Sequence, residues 1–320
     1  MISSLKYKSV LSLYDLSVEE IETVLKTAET LKIQRRVGQT VKILEGKVIA
    51  LIFQKPSTRT KVSFLAGISQ LGGTPLYLDG RDLQLGRGET IADTARVLSR
   101  YVDAIVARVF AHSDLEELAK CGSIPVINAL SDDYHPCQAL ADILTIYEKV
   151  NKVRGIKLAN FKGLKITYTG DGDSNMAHET LLLAAKTGMD ISLASHKDYQ
   201  PNDNVMEKVN KVAEESGSKI VITEDPLEAA KDADILYTDA LVSMGEDKIG
   251  QKKLKDLIAF QLDSKMIEAA KSDAIVMHPL PAIRGAEISA EAMESPRAVI
   301  WDQAENRLHV QKALLSLILG

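Results

Sequence analysis

Apolar residues in this chain fall into short runs that alternate between two spacings. Residues 47–53, KVIALIF, are almost continuously apolar between Gly46 and a polar loop. That is the pattern of a strand buried on both faces of a parallel sheet. Comparable runs at 74–78, 104–109, 125–129, 164–169, 191–194, 219–222, 235–239 and 275–278 predict further strands. Between them, apolar positions recur at three- and four-residue intervals. The first such stretch opens at Ser17, where Ser17 and Glu20 fit a capping box and Ile21, Val24, Leu25 and Leu31 mark one helical face. After Thr60, the positions of Val62, Phe64, Leu65, Ile68 and Leu71 predict a helix ended by Gly72-Gly73. Further helices are predicted at 92–101, 115–120, 138–149, 176–187, 205–216, 226–231 and 305–319.

Strands alternating with helices predict an α/β protein built on doubly wound parallel sheets, covered on both faces. The polar stretch 150–162 interrupts the alternation. It divides the chain into two such domains, 1–150 and 151–304, with a C-terminal helix, 305–320, expected to pack back on the first. The 320 residues fit two domains of roughly 150 residues each. No internal repeat or low-complexity segment is evident.

Composition narrows the class. The chain is 45% hydrophobic, enough for sizeable cores without a metal or disulfide staple. Its net charge is -5, from 39 basic and 44 acidic residues, which points to neither a nucleic-acid nor a membrane partner. A small anionic substrate therefore needs a local cluster of arginines. Cys121 and Cys137 form no C-x-x-C pair or zinc-ligand spacing, and so fit a reducing compartment. The opening MISSLKYKSVLSLYDLS has no leader-type apolar stretch. No apolar run approaches the roughly 18 residues of a membrane helix. The expectation is a cytoplasmic protein.

Five constellations carry candidate chemistry. FQKPSTRTKVSF, 53–64, sets Ser57, Thr58, Arg59 and Thr60 between a strand and a helix. A helix N-terminus offers free N–H groups to an anion, and an arginine fork suits phosphate oxygens. A capped helix with a solvated arginine is the plainer reading. His135 and Gln138, in HPCQ, are three apart and can share one helical face. Histidine can donate to a carbonyl oxygen as charge develops there, and glutamine suits an amide. Asp239, followed by Ser243-Met244-Gly245, ends a predicted strand, where open α/β sheets bind ligands. It could pair with an ammonium group. His278-Pro279-Leu280-Pro281 fixes a backbone whose carbonyls, at Pro279 and Leu280, can accept from a ligand; a rigid turn is the plainer reading. Arg108 ends a strand and Arg307 lies in the last helix; either could be a surface charge. Gly170-Asp171-Gly172 lacks the third glycine of a dinucleotide fingerprint, and neither a P-loop nor a G-x-S-x-G elbow is present.

Together these motifs resemble ornithine carbamoyltransferases along nearly the whole chain. STRT at 57–60, LQLGRGETIADTARVLSRYVDAIVAR at 83–108, HPCQALAD at 135–142, D-x-x-x-SMG at 239–245 and WDQAENRLHVQKA at 301–313 occur in family order. The resemblance implies a carbamoyl-phosphate domain followed by an amino-acid domain. It also implies homotrimers, sometimes assembled further, with active sites between subunits. It implies that Ser57, Thr58, Arg59, Thr60, Arg108 and Arg307 surround carbamoyl phosphate. Gln84 would complete that site, from a neighbouring subunit's loop. His135 and Gln138 would hold the carbamoyl group, with Pro279 and Leu280 beside it. Asn175, Asp239, Ser243 and Met244 would hold L-ornithine. The implied reaction gives L-citrulline and phosphate with no metal or cofactor, Arg59, Arg108, His135 and Asp239 carrying the chemistry. Arginine synthesis and citrulline phosphorolysis both use it.

The chain departs from that family at four places, all on the acceptor side. Pro279 stands where the family has cysteine, so that HPLP resembles aspartate carbamoyltransferases. Those usually have arginine where this chain has Ala282, and they lack the SMG loop. Leu241 replaces a usual tryptophan, Ile283 a histidine and Ser174 an asparagine. Ornithine is the expected acceptor. The alternatives are another amine (putrescine, aspartate or a modified ornithine) or a paralogue that binds carbamoyl phosphate without turnover.

Overall fold

The strand VIALIF, Val48–Phe53 (β1), is buried at five of its six positions, as its unbroken apolar run requires. It pairs in parallel with Thr74–Asp79 (β2) on one side and Ala104–Arg108 (β3) on the other. Val126–Leu130 (β4) pairs with β3, giving the order β2-β1-β3-β4. The computed structural model describes residues 4–320 except 81–82, 84–87, 156–157, 159–160 and 243–249. The chain forms two units, Met1–Ala141 with Glu305–Gly320, and Asp142–Ala304.

In the first unit the sheet is flanked by Val18–Arg36 (α1), Thr58–Gln70 (α2), Ile91–Leu98 (α3), His112–Cys121 (α4) and the start of Pro136–Ile146 (α5). The predicted capping box of α1 is present: Ser17 accepts from the Glu20 N–H, and Glu20 accepts from the Ser17 N–H at 2.9 Å. Its buried face carries Ile21, Val24, Leu25, Ala28 and Leu31, the expected stripe with one alanine added. A core of Ala50, Ile52, Ala95, Ile105, Ala107, Leu115, Leu118 and Val126 lies between β-strands and the α3–α4 pair. Each buried Leu, Ile or Val there contributes on the order of 1.5–3 kcal/mol.

The second unit holds Lys165–Thr169 (β5), Asp190–Ala194 (β6), Ile220–Thr223 (β7), Ile235–Thr238 (β8) and Ile275–Met277 (β9), all parallel in the order β7-β6-β5-β8-β9. Its helices are Asn175–Thr187 (α6), Asp203–Ser216 (α7), Pro226–Ala230 (α8), Gly250–Leu257 (α9), Ser264–Ala269 (α10) and Ala290–Met293 (α11). The last helix, Ile300–Leu319 (α12), begins five residues before its predicted start, and its part from Glu305 onward belongs to the first unit. There Lys32 Nζ donates to Asn306 at 2.7 Å, and the Tyr7 N–H to the Ile318 carbonyl at 3.0 Å.

Three helices were not expected: α9, α10 and α11. Their sequences, GQKKLKDL, SKMIEA and AEAM, are too short or too polar to show a helical apolar period. α10 and α11 are nucleated instead by their caps, Asp263 and Ser289. α5 also starts earlier than predicted, at Pro136, and passes into a π turn, Tyr147–Asn151. Proline is well placed at a first helical position, where its missing N–H has no partner to lose. Among the described residues, no helix is long and apolar enough to cross a membrane.

Candidate active site

The strand order of the first unit reverses between β1 and β3. Chain connections diverge there, leaving a crevice at the carboxyl ends of the strands, where ligands bind in such sheets. The Ser57–Thr60 run follows β1, and Arg108 ends β3. Phe53 and Arg108 are register partners, and the Gln54 N–H donates to the Arg108 carbonyl at 2.8 Å. Ser57 caps α2, its Oγ accepting from the Thr60 N–H at 3.3 Å. The first turn thus points N–H groups and a positive dipole end toward the crevice. Thr58 is exposed, Ser57 and Arg59 are half-buried, and Thr60 is buried.

This loop is fixed from its flanks by residues the sequence did not single out. Gln54 Oε1 accepts from the Phe110 N–H at 3.0 Å while its Nε2 donates to Asp114 at 3.2 Å. Buried Lys55 pairs with Asp132, and its ammonium lies 4.5 Å from the Phe110 ring centroid. A lysine one residue before Pro56 gave no pattern that would separate it from a surface charge.

Arg307, on α12, brings three of the sequence motifs together. Its Nη1 donates to Gln138 Oε1 at 2.6 Å and its Nη2 to Thr60 Oγ1 at 3.0 Å. All three residues are buried. Arg108 is only 4% exposed, and its Nε has no hydrogen-bond partner among the described residues. Burial, then the nearby charges of Arg307 and Arg59, lowers its pKa to about 10. It therefore keeps its charge at neutral pH. A buried cation whose charged neighbours are two more cations is costly alone, and the same arrangement is a strong receptor for a dianion.

His135 sits where β4 turns into α5. Its carbonyl accepts from the Gln138 and Ala139 N–H groups at 2.9 and 3.2 Å. Asn128, fully buried on β4, fixes the turn: Nδ2 donates to the Leu11 carbonyl at 2.7 Å and to Ser131 Oγ and the Tyr134 carbonyl at 3.2 Å. A lone polar residue inside VINAL was the available signal for this role. The His135 imidazole is held well below its ordinary pKa by burial and then by Arg307 and Arg108. It is neutral at pH 7, and so can donate a hydrogen bond without adding charge. Its ring is expected to show no titration in an NMR pH series between about pH 5 and 8, the range where an ordinary histidine titrates. Because the unfolded chain takes up that proton and the folded one does not, His135 makes stability fall as pH drops below about 6.5. An inflection of its ring signals near the ordinary histidine value would contradict this.

In the second unit the strand order reverses between β5 and β8. Asn175 opens α6, after β5, and Asp239 follows β8, so the two lie at the corresponding crevice. Ser174 caps α6: its Oγ accepts from the Ala177 N–H at 3.2 Å and lies 3.0 Å from Tyr168 Oη. That accounts for a serine at this position. Asp239 is half-buried by surface area, but its carboxyl group lies low enough that burial pushes its pKa up. Ser243, Met244 and Gln84 lie outside the described residues.

The HPLP turn follows β9. Pro279 is buried, Leu280 has φ 62°, and the Leu280–Pro281 peptide is cis. A left-handed backbone at a leucine is strained and is held only where its surroundings over-determine it. The Leu241 side chain is buried with Ala194, Ala229, Leu257 and Phe260, so at this departure the chain has a small core residue. Ile283 is 62% exposed, and its N–H donates to Glu287 Oε1 at 2.5 Å. Among the described residues, no group of three or more His, Cys, Asp or Glu side chains could hold a metal ion.

Comparison with known proteins places these features in a family. Residues 8–148 match the family model "Aspartate/ornithine carbamoyltransferase, carbamoyl-P binding domain", and residues 162–318 match "Aspartate/ornithine carbamoyltransferase, Asp/Orn binding domain". The chain is 50% identical over 320 residues to ornithine carbamoyltransferase of Thermococcus kodakarensis, covering 100% of this chain and 99% of that one. It is 50% identical over 317 residues to the Bacillus subtilis enzyme of the same name, covering 99% and 95%. The structure of ornithine carbamoyltransferase from Pyrococcus furiosus superposes with a TM-score of 0.93 at 49% identity, covering 100% of this chain and 99% of that one. With both family models matched in order and full-length relatives at half identity, the chain belongs to the aspartate/ornithine carbamoyltransferase family.

Proposed function

We propose that the chain transfers the carbamoyl group of carbamoyl phosphate to the δ-amine of L-ornithine, giving L-citrulline and inorganic phosphate. The observation that carries the donor half is Arg108: a buried guanidinium, its Nε without a hydrogen-bond partner among the described residues, beside Arg59 and Arg307. The acceptor half rests on Asn175 and Asp239 at the crevice of the second sheet, and on full-length relatives named ornithine carbamoyltransferase.

In this reading Ser57, Thr58, Arg59, Thr60, Arg108 and Arg307 hold the phosphate, with Gln84 completing the donor site. His135 and Gln138 orient the carbamoyl group, and the carbonyls of Pro279 and Leu280 accept its amide hydrogens. Asn175, Asp239, Ser243 and Met244 hold the amino acid. The δ-amine, with a lysine-like pKa near ~10.4 in water, attacks as the neutral form. Its nitrogen bonds to the carbamoyl carbon, whose C=O electron pair moves to oxygen; the oxyanion then collapses as the bond from that carbon to the phosphate oxygen breaks. Arg108, neutral His135 and the Thr58 hydroxyl stabilise the oxyanion between those events. The amine's surplus proton passes to the departing phosphate or to Asp239. Holding both substrates in line supplies roughly 7–11 kcal/mol of the barrier reduction.

The reading includes a homotrimer, as the family resemblance implies. The use of only two cysteines, Cys121 and Cys137, in no C-x-x-C spacing supports a cytoplasmic setting.

The first test is formation of citrulline and phosphate in equal amounts from carbamoyl phosphate and ornithine. Pro279→Cys probes the departure. A change in ornithine kcat or KM, with phosphate affinity unchanged, is expected. Identical ornithine kinetics would show that position 279 does not handle the acceptor.

A further inference from the structure

The HPLP turn carries a strained leucine, and a chain of buried polar groups leads to it. Glu287 is fully buried. Its Oε1 accepts from the Ile283 N–H at 2.5 Å and lies 3.2 Å from His278 Nε2. On the other side of that ring, His278 Nδ1 accepts from the Leu280 N–H at 2.9 Å. Because Nδ1 accepts, the ring proton sits on Nε2 and is donated to Glu287. The backbone N–H groups before and after the Leu280–Pro281 peptide are thus clamped to one histidine–carboxylate pair.

The chain continues inward. The His278 N–H donates to Gln303 Oε1 at 2.9 Å, and Gln303 Nε2 donates to Asp142 Oδ1 at 2.8 Å. Tyr237 Oη donates to Asp142 Oδ2 at 2.9 Å. Tyr237 is two residues before Asp239, and its ring stacks on Tyr168 at 5.9 Å between centroids. Tyr168 in turn reaches Ser174, the cap before Asn175. Asp142 ends the HPCQALAD motif and Gln303 is the third residue of WDQAENR, yet neither is among the residues assigned to a substrate.

We infer that Asp142, Gln303, His278 and Glu287 are positioning residues that fix the HPLP turn for carbamoyl transfer. Asp142, Gln303 and His278 are each used at both ends, while Glu287 takes both of its bonds on Oε1; such a network sets a backbone more sharply than apolar packing can. Every link is short, and the chain ends at Leu280, where the backbone needs outside support. The inference rests on the reading that the carbonyls at Pro279 and Leu280 face the carbamoyl group. Glu287 acts as an acceptor, so glutamine should replace it and leucine should not.

The test compares Glu287→Leu, Glu287→Gln and Gln303→Met with the wild-type enzyme. Readouts are kcat with ornithine, the Kd of inorganic phosphate and the thermal midpoint. Loosening the turn should lower kcat about 100-fold in Glu287→Leu and Gln303→Met, the scale of a small misplacement at the reacting centre. Phosphate affinity should stay within about twofold, because the residues proposed to hold phosphate belong to the other unit. Glu287→Gln should recover most of the lost kcat. Wild-type kcat in folded Glu287→Leu or Gln303→Met would overturn the inference. So would Glu287→Gln as impaired as Glu287→Leu, or phosphate affinity lost in proportion to kcat. If Glu287→Leu does not fold, Gln303→Met and Glu287→Gln decide. A wild-type enzyme without ornithine turnover would strike the functional reading instead.

Discussion

Arg108→Met lowers kcat for carbamoyl transfer by about 10³-fold, the upper range for removing one donor from a developing oxyanion. Methionine keeps much of the stem's volume and removes only the charge and its donors. The same substitution leaves the ligand-free protein as stable as the wild type or more so. Arg108 is a buried cation lowered to about 10 by burial and by Arg307 and Arg59, and removing such a charge relieves desolvation and repulsion together. Opposite signs for activity and stability separate a substrate ligand from a structural residue. Steady-state kinetics and thermal unfolding without ligand read both. The stabilisation of the wild type by added phosphate should also shrink in the variant. A variant that is unstable and still active would contradict the role.

Asp239→Asn lowers kcat/KM for ornithine by about 10–100-fold, the cost of losing a charge-assisted hydrogen bond of roughly 1.5–3 kcal/mol. Phosphate affinity is unaffected, because the phosphate ligands named above belong to the first unit. The substitution also changes the acid limb of the pH profile. Burial raises the Asp239 pKa, so the wild type loses its carboxylate at a higher pH than an ordinary aspartate as the solution is acidified. Below that pH kcat/KM for ornithine therefore falls more steeply in the wild type than protonation of the δ-amine alone requires, and this added limb is missing in the variant. An unchanged limb in Asp239→Asn would assign it to another group.

The strands were the most legible part of the fold. A parallel strand buried on both faces is a continuous apolar run, and KVIALIF announces β1 with no knowledge of its neighbours. α1 and α2 were legible because each combines a capping serine with an apolar stripe. α10 and α11 were not, since a helix of four to six residues has too few positions to show a period. Strand order could not be read from spacing. It decides the site, because the reversals at β1/β3 and β5/β8 select which loops become crevices.

The candidate site was legible where its residue types are unusual together. Ser57, Thr58, Arg59 and Thr60 make a dense anion loop, and the structure brings Thr60, Gln138 and Arg307 together by hydrogen bonds. The supports were hidden. Gln54, Lys55, Asn128, Asp142, Gln303 and Glu287 are ordinary polar residues until their burial and partners are known. Of these, only Asn128 had a signal that could have been read, as a polar residue inside an apolar strand, and it was not singled out. Ser174 shows the converse: a departure from the family pattern is occupied by a working helix cap.

Whether this carbamoyl donor site serves ornithine is read from kcat/KM with carbamoyl phosphate across ornithine, putrescine, aspartate and a modified ornithine, following ureido product and phosphate together. Ornithine is expected to be the preferred acceptor, with one phosphate released per citrulline formed. A higher kcat/KM for any other amine, or tight carbamoyl phosphate binding without turnover of ornithine, would contradict it.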